Sequence, residues 1–187
     1  TCFVLFPLMM GLAALAEPVV RLLLTDKWIE TVPLIRILCF AWIWWPASNM
    51  SWQLLNAKHR SDYCLKAEII KKVIAISILV FSLFWGIKVV CIGMLLYYVA
   101  DVYVITVFSA RVLPGVTFAS EMKSMLPILA YAAVMGTGVY LLDHMISSDA
   151  VSLAAGTAAG IVLYMAVTLL TGSREAWYLL EMIKKRR

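Results

Sequence analysis

The chain has 187 residues, of which 64% are hydrophobic and only 14% charged, with a mean hydropathy of +0.93. Those proportions lie far outside soluble usage and make the bilayer the expected solvent. The formal charge of +5 does not mark a nucleic-acid binder, because the sixteen Lys and Arg residues fall in short clusters between apolar runs and not on one basic face.

The first residues, Thr1-Cys2-Phe3, already lie inside an apolar run, without an initiator Met, a basic start or a small-residue cleavage site. That pattern reads as the C-terminal fragment of a longer protein and not as a signal peptide. A helix needs about 20 apolar residues to cover ~30 Å of hydrocarbon, where no unpaired backbone group can face lipid. Six stretches meet or approach that length: Thr1 to Leu24, Leu34 to Ala57, Ile69 to Gly86, Val89 to Ala110, Met125 to Leu142 and Ala150 to Thr171, here spans A to F. The expected fold is therefore all-α, a polytopic bundle of six transmembrane helices.

Span A contains Glu17-Pro18, and Pro18 removes a backbone donor in mid-span, so a bend is expected there. Glu17 and Arg21 stand four apart in the favourable acid-then-base order for an intrahelical pair, with a cavity role as the alternative. Span B carries Trp42, Trp45, Asn49, Trp52 and Asn56 at spacings of three and four along one face, with Gln53 beside them. Aromatic rings and amides suit sugar binding, although Trp also forms interfacial belts and amides bridge helices. Pro46 is expected to bend this span near Trp45.

Span C has an uncharged core only from Val73 to Ile87, and it reaches across only if Lys71 and Lys72 snorkel toward the headgroups. Gly86-Ile87-Lys88 leaves room only for a tight turn, which makes spans C and D an antiparallel hairpin. Asp101 lies deep in span D, where an ionisable group is a cavity or coupling-ion residue or else a structural hydrogen-bond partner of a neighbouring helix. Span F has Ser152, Gly156 and Gly160 as a ladder of small residues, with Ala132 and Gly136 of span E as the expected packing partner. The tail from Ser173 mixes Trp177, Tyr178 and Ile183 with cations and reads as an interfacial anchor.

Short loops rich in Lys and Arg stay on the cytoplasmic side. The B to C loop, the D to E loop and the tail carry twelve such residues, including Lys58, Arg60, Lys66, Lys71, Lys72, Arg111 and Lys123. The opposite side has four, Arg21, Lys27, Arg36 and Lys88, so both ends are expected to be cytoplasmic. His59 and His144 fall in loops on opposite sides, and neither a metal-ligand spacing nor a nucleophile motif is present. Neither a metal nor a cofactor is expected, and enzymatic activity is disfavoured. The four cysteines, Cys2, Cys39, Cys64 and Cys91, have no CxxC spacing and read as free, inert thiols.

The order of features from A to C matches a more specific pattern. Phe6-Pro7 leads to Gly11-Leu12-Ala13-Ala14-Leu15-Ala16-Glu17-Pro18, then Leu22-Leu23-Leu24-Thr25-Asp26-Lys27-Trp28 and Ile37-Leu38-Cys39-Phe40. Asn56-Ala57-Lys58-His59-Arg60-Ser61-Asp62 and Leu65-Lys66-Ala67-Glu68-Ile69-Ile70-Lys71-Lys72 follow. This order resembles the C-terminal part of Wzx-type polysaccharide flippases, within the multidrug, oligosaccharidyl-lipid and polysaccharide exporter superfamily. The match is dense over about the first 90 residues and rests on hydropathy, spacing and the basic tail thereafter.

The resemblance implies a two-lobe transporter of the bacterial inner membrane that moves undecaprenyl-linked oligosaccharides for lipopolysaccharide, O-antigen or capsule assembly by alternating access. Residues 1–112 would be the last four helices of the second lobe, 113–172 an accessory pair that helps form a lipid-tail groove, and 173–187 the basic tail. Partners would be the lipid-linked oligosaccharide, membrane lipids and the missing N-terminal lobe, and the fragment would not transport alone. No invariant motif carries over, so the pathway residues, Glu17, Arg36, Trp45, Asn49, Trp52, Gln53 and Asp101, come from the span chemistry alone. The other readings are a drug or small-molecule exporter of the same superfamily and a membrane-embedded glycosyltransferase or polymerase acting on lipid-linked sugars.

Overall fold

A computed structural model describes residues 2–112, 117–146 and 148–170, and the basic tail expected to anchor the chain lies outside them. Among the described residues there are only helices. These are α1 (Cys2–Ala14), α2 (Ala16–Leu24), a 3-10 helix (Asp26–Thr31), α3 (Val32–Trp42), α4 (Trp45–Ala57), α5 (Ser61–Leu83), α6 (Ile87–Val112), α7 (Phe118–Met145) and α8 (Asp149–Leu170). Four helical segments are long and apolar enough to cross a membrane: Asp26–Ala57, Ile87–Val112, Phe118–Met145 and Asp149–Leu170. The bent pair α1 and α2 makes a fifth if counted as one span. The chain is thus an all-α, multi-pass membrane protein.

The distribution of side chains supports that solvent. Large apolar groups such as Leu23, Phe81, Phe84, Trp85 and Leu170 are exposed, whereas Ser48, Ser51, Lys71, Asp101, Thr106, Ser109 and Thr168 are buried. Water would drive the opposite sorting. In lipid the tails solvate the Leu and Phe side chains, and hydrogen-bonding groups are what must find partners inside.

α5 is not among the segments apolar enough to cross, because Asp62, Lys66, Glu68, Lys71 and Lys72 fall in its first half. It is nonetheless a 23-residue helix that starts eight residues before the Ile69 expected from hydropathy. The expected snorkelling of Lys71 is corrected. Its side chain is 8% exposed and turns inward to two carboxylates, since a buried ammonium beside acids is cheaper than one stretched through hydrocarbon. The hairpin with α6 forms at Phe84–Gly86, where Gly86 takes φ 93°, a conformation that glycine adopts without strain. Near the turn, a Cβ on Gly93 would lie 2.8 Å from Ile78 Cγ2, so the missing side chain lets the two helices close.

The described residues pack as two compact units, one within residues 2–32 and 127–170 and the other within residues 33–126. In the first unit, α1 and α2 meet at 68°. The break falls at Leu15, and Pro18 sits one turn into α2, where its missing N–H leaves the Ala14 carbonyl without its helical donor. The bend expected in span A is thus present. Helix α8 packs into that corner: a Cβ on Gly156 would lie 2.7 Å from Leu15 Cδ2, and one on Gly160 3.2 Å from Val139. The small-residue ladder therefore works as expected, but it receives Val139 and Leu15. Gly136 of α7 does not face it and instead lies against Met10 of α1. Ser152 donates to the Asp143 carboxylate, and Tyr164 donates to the Phe3 carbonyl at 2.8 Å.

The second unit is built on α4, α5 and α6. Leu55, Cys64, Ala67, Ile105 and Phe108 form its apolar centre, with Trp52, Tyr63, Val104 and Val112 around it. Between α3 and α4 the helix is interrupted at Ile43 and Trp44, just before Pro46, which occupies the first turn of α4. All four cysteines are free thiols, and Cys39, Cys64 and Cys91 are buried.

Candidate functional site

The second unit contains an open cleft of about 290 Å³ lined by α4, α5 and α6. Helix α4 contributes Trp45, Ser48, Asn49 and Trp52, whose spacing of three, four and seven places them on one face. Helix α5 contributes Glu68 and Lys71, one turn apart, and α6 contributes Tyr97, Tyr98 and Asp101.

The floor is ionic. Lys71 Nζ stands 2.8 Å from Asp101 Oδ1 and 2.8 Å from Glu68 Oε1. Ser48 donates to the other oxygen of Asp101, so both oxygens of that carboxylate are engaged. The Lys71 ammonium also lies 5.2 Å from the Trp52 ring centre, where the negative face of the indole attracts it. Two carboxylates share one ammonium, which leaves one net negative charge. Glu68 is the more exposed of the two acids, at 37% against 9% for Asp101.

The walls are aromatic. Trp42 joins Trp45 and Tyr98, with ring centres at 6.3 Å and 5.7 Å, and Tyr97 lies 5.5 Å from Tyr98. A cleft with ring faces on its walls and hydrogen-bonding groups on its floor can take a sugar: the rings cover the C–H faces, and carboxylate and amide oxygens accept from the hydroxyls.

Of the seven residues expected on the pathway, Trp45, Asn49, Trp52 and Asp101 line this cleft. Gln53 stands beside it and donates to Asn49 Oδ1 at 3.4 Å. Arg36 is half-buried on α3, outside the lining. Glu17 lies in the other unit and forms the intrahelical pair with Arg21 at 2.8 Å, both half-exposed. The structure gives Asp101 the bond to a neighbouring helix that was one of its two expected roles.

Sequence reasoning missed Ser48, Glu68, Lys71, Tyr97 and Tyr98. A signal for the α5 pair existed, since Glu68 and Lys71 have the spacing of an intrahelical pair inside a quoted segment. That Asp101 shares their ammonium depends on the α5–α6 hairpin register, which hydropathy does not specify.

The first unit holds a different cavity, a groove of about 470 Å³ lined by α1, α2, α7 and α8. Val4, Leu8, Leu12, Val19, Met135 and Ile161 are typical of its walls, so its lining is almost wholly apolar. Such a groove takes a hydrocarbon chain and offers little to a sugar. Among the described residues, no group of three or more His, Cys, Asp or Glu side chains is placed to hold a metal ion.

The model of a family described as "Polysaccharide biosynthesis protein" matches residues 1–33. An uncharacterized membrane protein in the cps region of Klebsiella pneumoniae is 32% identical over 84 residues, which is 45% of this chain. The chain spans 17% of the length of that curated relative. No solved structure matches the chain significantly. The two matches support a membrane protein of polysaccharide biosynthesis.

Proposed function

We propose that this chain is part of a bacterial inner-membrane flippase that moves undecaprenyl-linked oligosaccharides across the membrane by alternating access. The observation that carries the reading is the cleft of α4, α5 and α6, which sets Trp45, Trp52, Tyr97 and Tyr98 over a hydrogen-bonding floor. The match of residues 1–33 to a family described as polysaccharide biosynthesis protein, and the similarity to a membrane protein in a cps region, support the substrate class. The apolar groove of the other unit suits a hydrocarbon chain.

In this reading the protein does no covalent chemistry. The sugar headgroup occupies the cleft, its hydroxyls compete for Glu68 and Asp101, and differential binding to inward and outward states moves the population between them. The remaining helices of a two-lobe transporter would close the cavity from the other side.

The reading is tested at the aromatic walls. Trp45→Ala and Trp52→Ala in the intact protein are each expected to weaken binding of a lipid-linked oligosaccharide about tenfold, the loss of roughly 1.4 kcal/mol of stacking. Isothermal titration in detergent measures this, and unchanged affinity in both variants would sink the sugar cleft. A drug exporter of the same superfamily would instead bind an amphipathic drug there and ignore the oligosaccharide.

The topology belongs to the proposal as well: six spans, α5 among them, with both ends cytoplasmic. Without the inward-turned Lys71, eleven cations still face four across the membrane, by twelve less one. Cysteines placed singly at Lys66 and Lys88 are expected to react with an impermeant maleimide from opposite sides, cytoplasmic and periplasmic respectively. Labelling of both from one side would remove α5 as a span.

A further inference from the structure

The cleft of α4, α5 and α6 is unevenly charged. Among the described residues that line it, Lys71 is the one cation, against the two acids Glu68 and Asp101. Its ammonium is already occupied: Glu68 Oε1 and Asp101 Oδ1 each stand 2.8 Å away, and the Trp52 ring centre lies at 5.2 Å. The two acids differ in what they have left to offer. Asp101 is 9% exposed and its second oxygen accepts from Ser48, whereas Glu68 is 37% exposed and, among the described residues, has Lys71 alone as a partner. A carboxylate has room for about four hydrogen bonds, so Glu68 brings unused acceptor capacity to the cleft.

We propose that Glu68 makes the cleft select a saccharide that carries a free amine and reject one that carries a carboxylate. The inference rests on the reading of the cleft as a sugar site and adds the charge of that sugar. An ammonium on the sugar finds Glu68 for a charge-assisted hydrogen bond. The ring faces of Trp45 and Tyr98 attract it as well, as the face of Trp52 attracts Lys71. A uronic acid meets the opposite conditions. It is repelled by the excess negative charge, and the cation it needs is shared between two acids, one of them buried, that Lys71 would have to leave. A hydroxyl or acetamide gains and loses neither term, so a neutral sugar falls between the two.

Specificity is a difference of affinities, and Glu68 contributes to both sides of it. Asp101 cannot read the sugar's charge in the same way, because both of its oxygens are engaged. Glu68→Gln leaves Lys71 paired with Asp101 at 2.8 Å and brings the lining of the cleft to one acid and one ammonium. The variant should therefore still bind sugar through the aromatic walls and lose the preference for charge.

The test titrates the purified intact protein in detergent with one polyprenyl-diphosphate-linked disaccharide of glucosamine in three forms: free amine, N-acetylated, and N-succinylated, which adds a carboxylate. At about pH 6 the amine is charged and the carboxylates stay ionised. The lipid and diphosphate are common to all three, so their contribution cancels. The unaltered protein is expected to bind the amine about tenfold tighter than the N-acetyl form, the scale of one charge-assisted hydrogen bond, and the N-succinyl form weakest. In Glu68→Gln the amine and N-acetyl forms should come within about threefold of each other. Equal affinity for the three forms in the unaltered protein would overturn the charge preference; if that binding still weakened in Trp45→Ala and Trp52→Ala, the sugar cleft itself would stand. Unchanged discrimination in Glu68→Gln would remove Glu68 as its source, and binding of none of the three would overturn the sugar cleft and the preference together.

Discussion

Replacing Lys71 by Met is expected to destabilise the protein by about 3–5 kcal/mol, the usual cost of leaving one member of a buried ion pair without its partner. The change strands Asp101, 9% exposed, with only the Ser48 hydroxyl for its charge. Asp101→Asn should cost less. In that variant Lys71 keeps Glu68 at 2.8 Å, and the amide still accepts from Ser48. The double variant removes both opposed charges, so it should be more stable than Lys71→Met alone, with a coupling energy of about 1–3 kcal/mol. Denaturation of the four proteins in one detergent measures the cycle. Strictly additive costs would mean that the two residues do not pair.

The second large effect is expected at the corner where α8 meets the break between α1 and α2. A Cβ on Gly156 would already lie 2.7 Å from Leu15 Cδ2 and 3.4 Å from Val139 Cγ1. Gly156→Leu adds a whole branched side chain to a place with no room for its first atom. Overpacking of this kind costs about 1–3 kcal/mol, and here it also pushes α8 away from the helix break. Gly156→Ala should cost less, because Leu15 can turn its flexible end aside. A drop in the detergent unfolding midpoint that grows from Ala to Leu is the expected result, and a Leu variant as stable as the parent would remove the close approach of α8.

How much of this was legible in the sequence depended on whether the signal was local. The bend at Pro18, the C–D turn at Gly86 and the Glu17–Arg21 pair are each decided by residues within a turn or two of one another, and each is present. The aromatic face of α4 was equally local, because a spacing of three and four fixes which side chains share a face. Three of its members, Trp45, Asn49 and Trp52, line the cleft.

What escaped was set by register between helices. Lys71 counts against a membrane span in any reading of hydropathy, and hydropathy has no means of knowing that an acid thirty residues later lies opposite it. The hairpin brings Asp101 to that ammonium, and the pairing turns an apparent headgroup lysine into the floor of a cleft. The hydrogen bonds of Glu121 escaped for a similar reason. Their donors, Ser51 and Thr106, lie on two other helices, and no local spacing joins the three. The partner of the α8 ladder was half legible: α7 does supply Val139, while Leu15 comes from a corner that only the folded chain creates.

The central claim is that the aromatic and ionic cleft handles the sugar of a lipid-linked oligosaccharide during transport. The most direct measurement reconstitutes the intact protein in proteoliposomes with a lipid-linked oligosaccharide and follows, by an impermeant sugar-oxidising reagent, how fast the headgroup changes sides. The account predicts translocation without any change in oligosaccharide length, slowed at least tenfold in the Trp45→Ala, Trp52→Ala double variant. Elongation of the sugar by the purified protein, or translocation at an unchanged rate in the double variant, would contradict it.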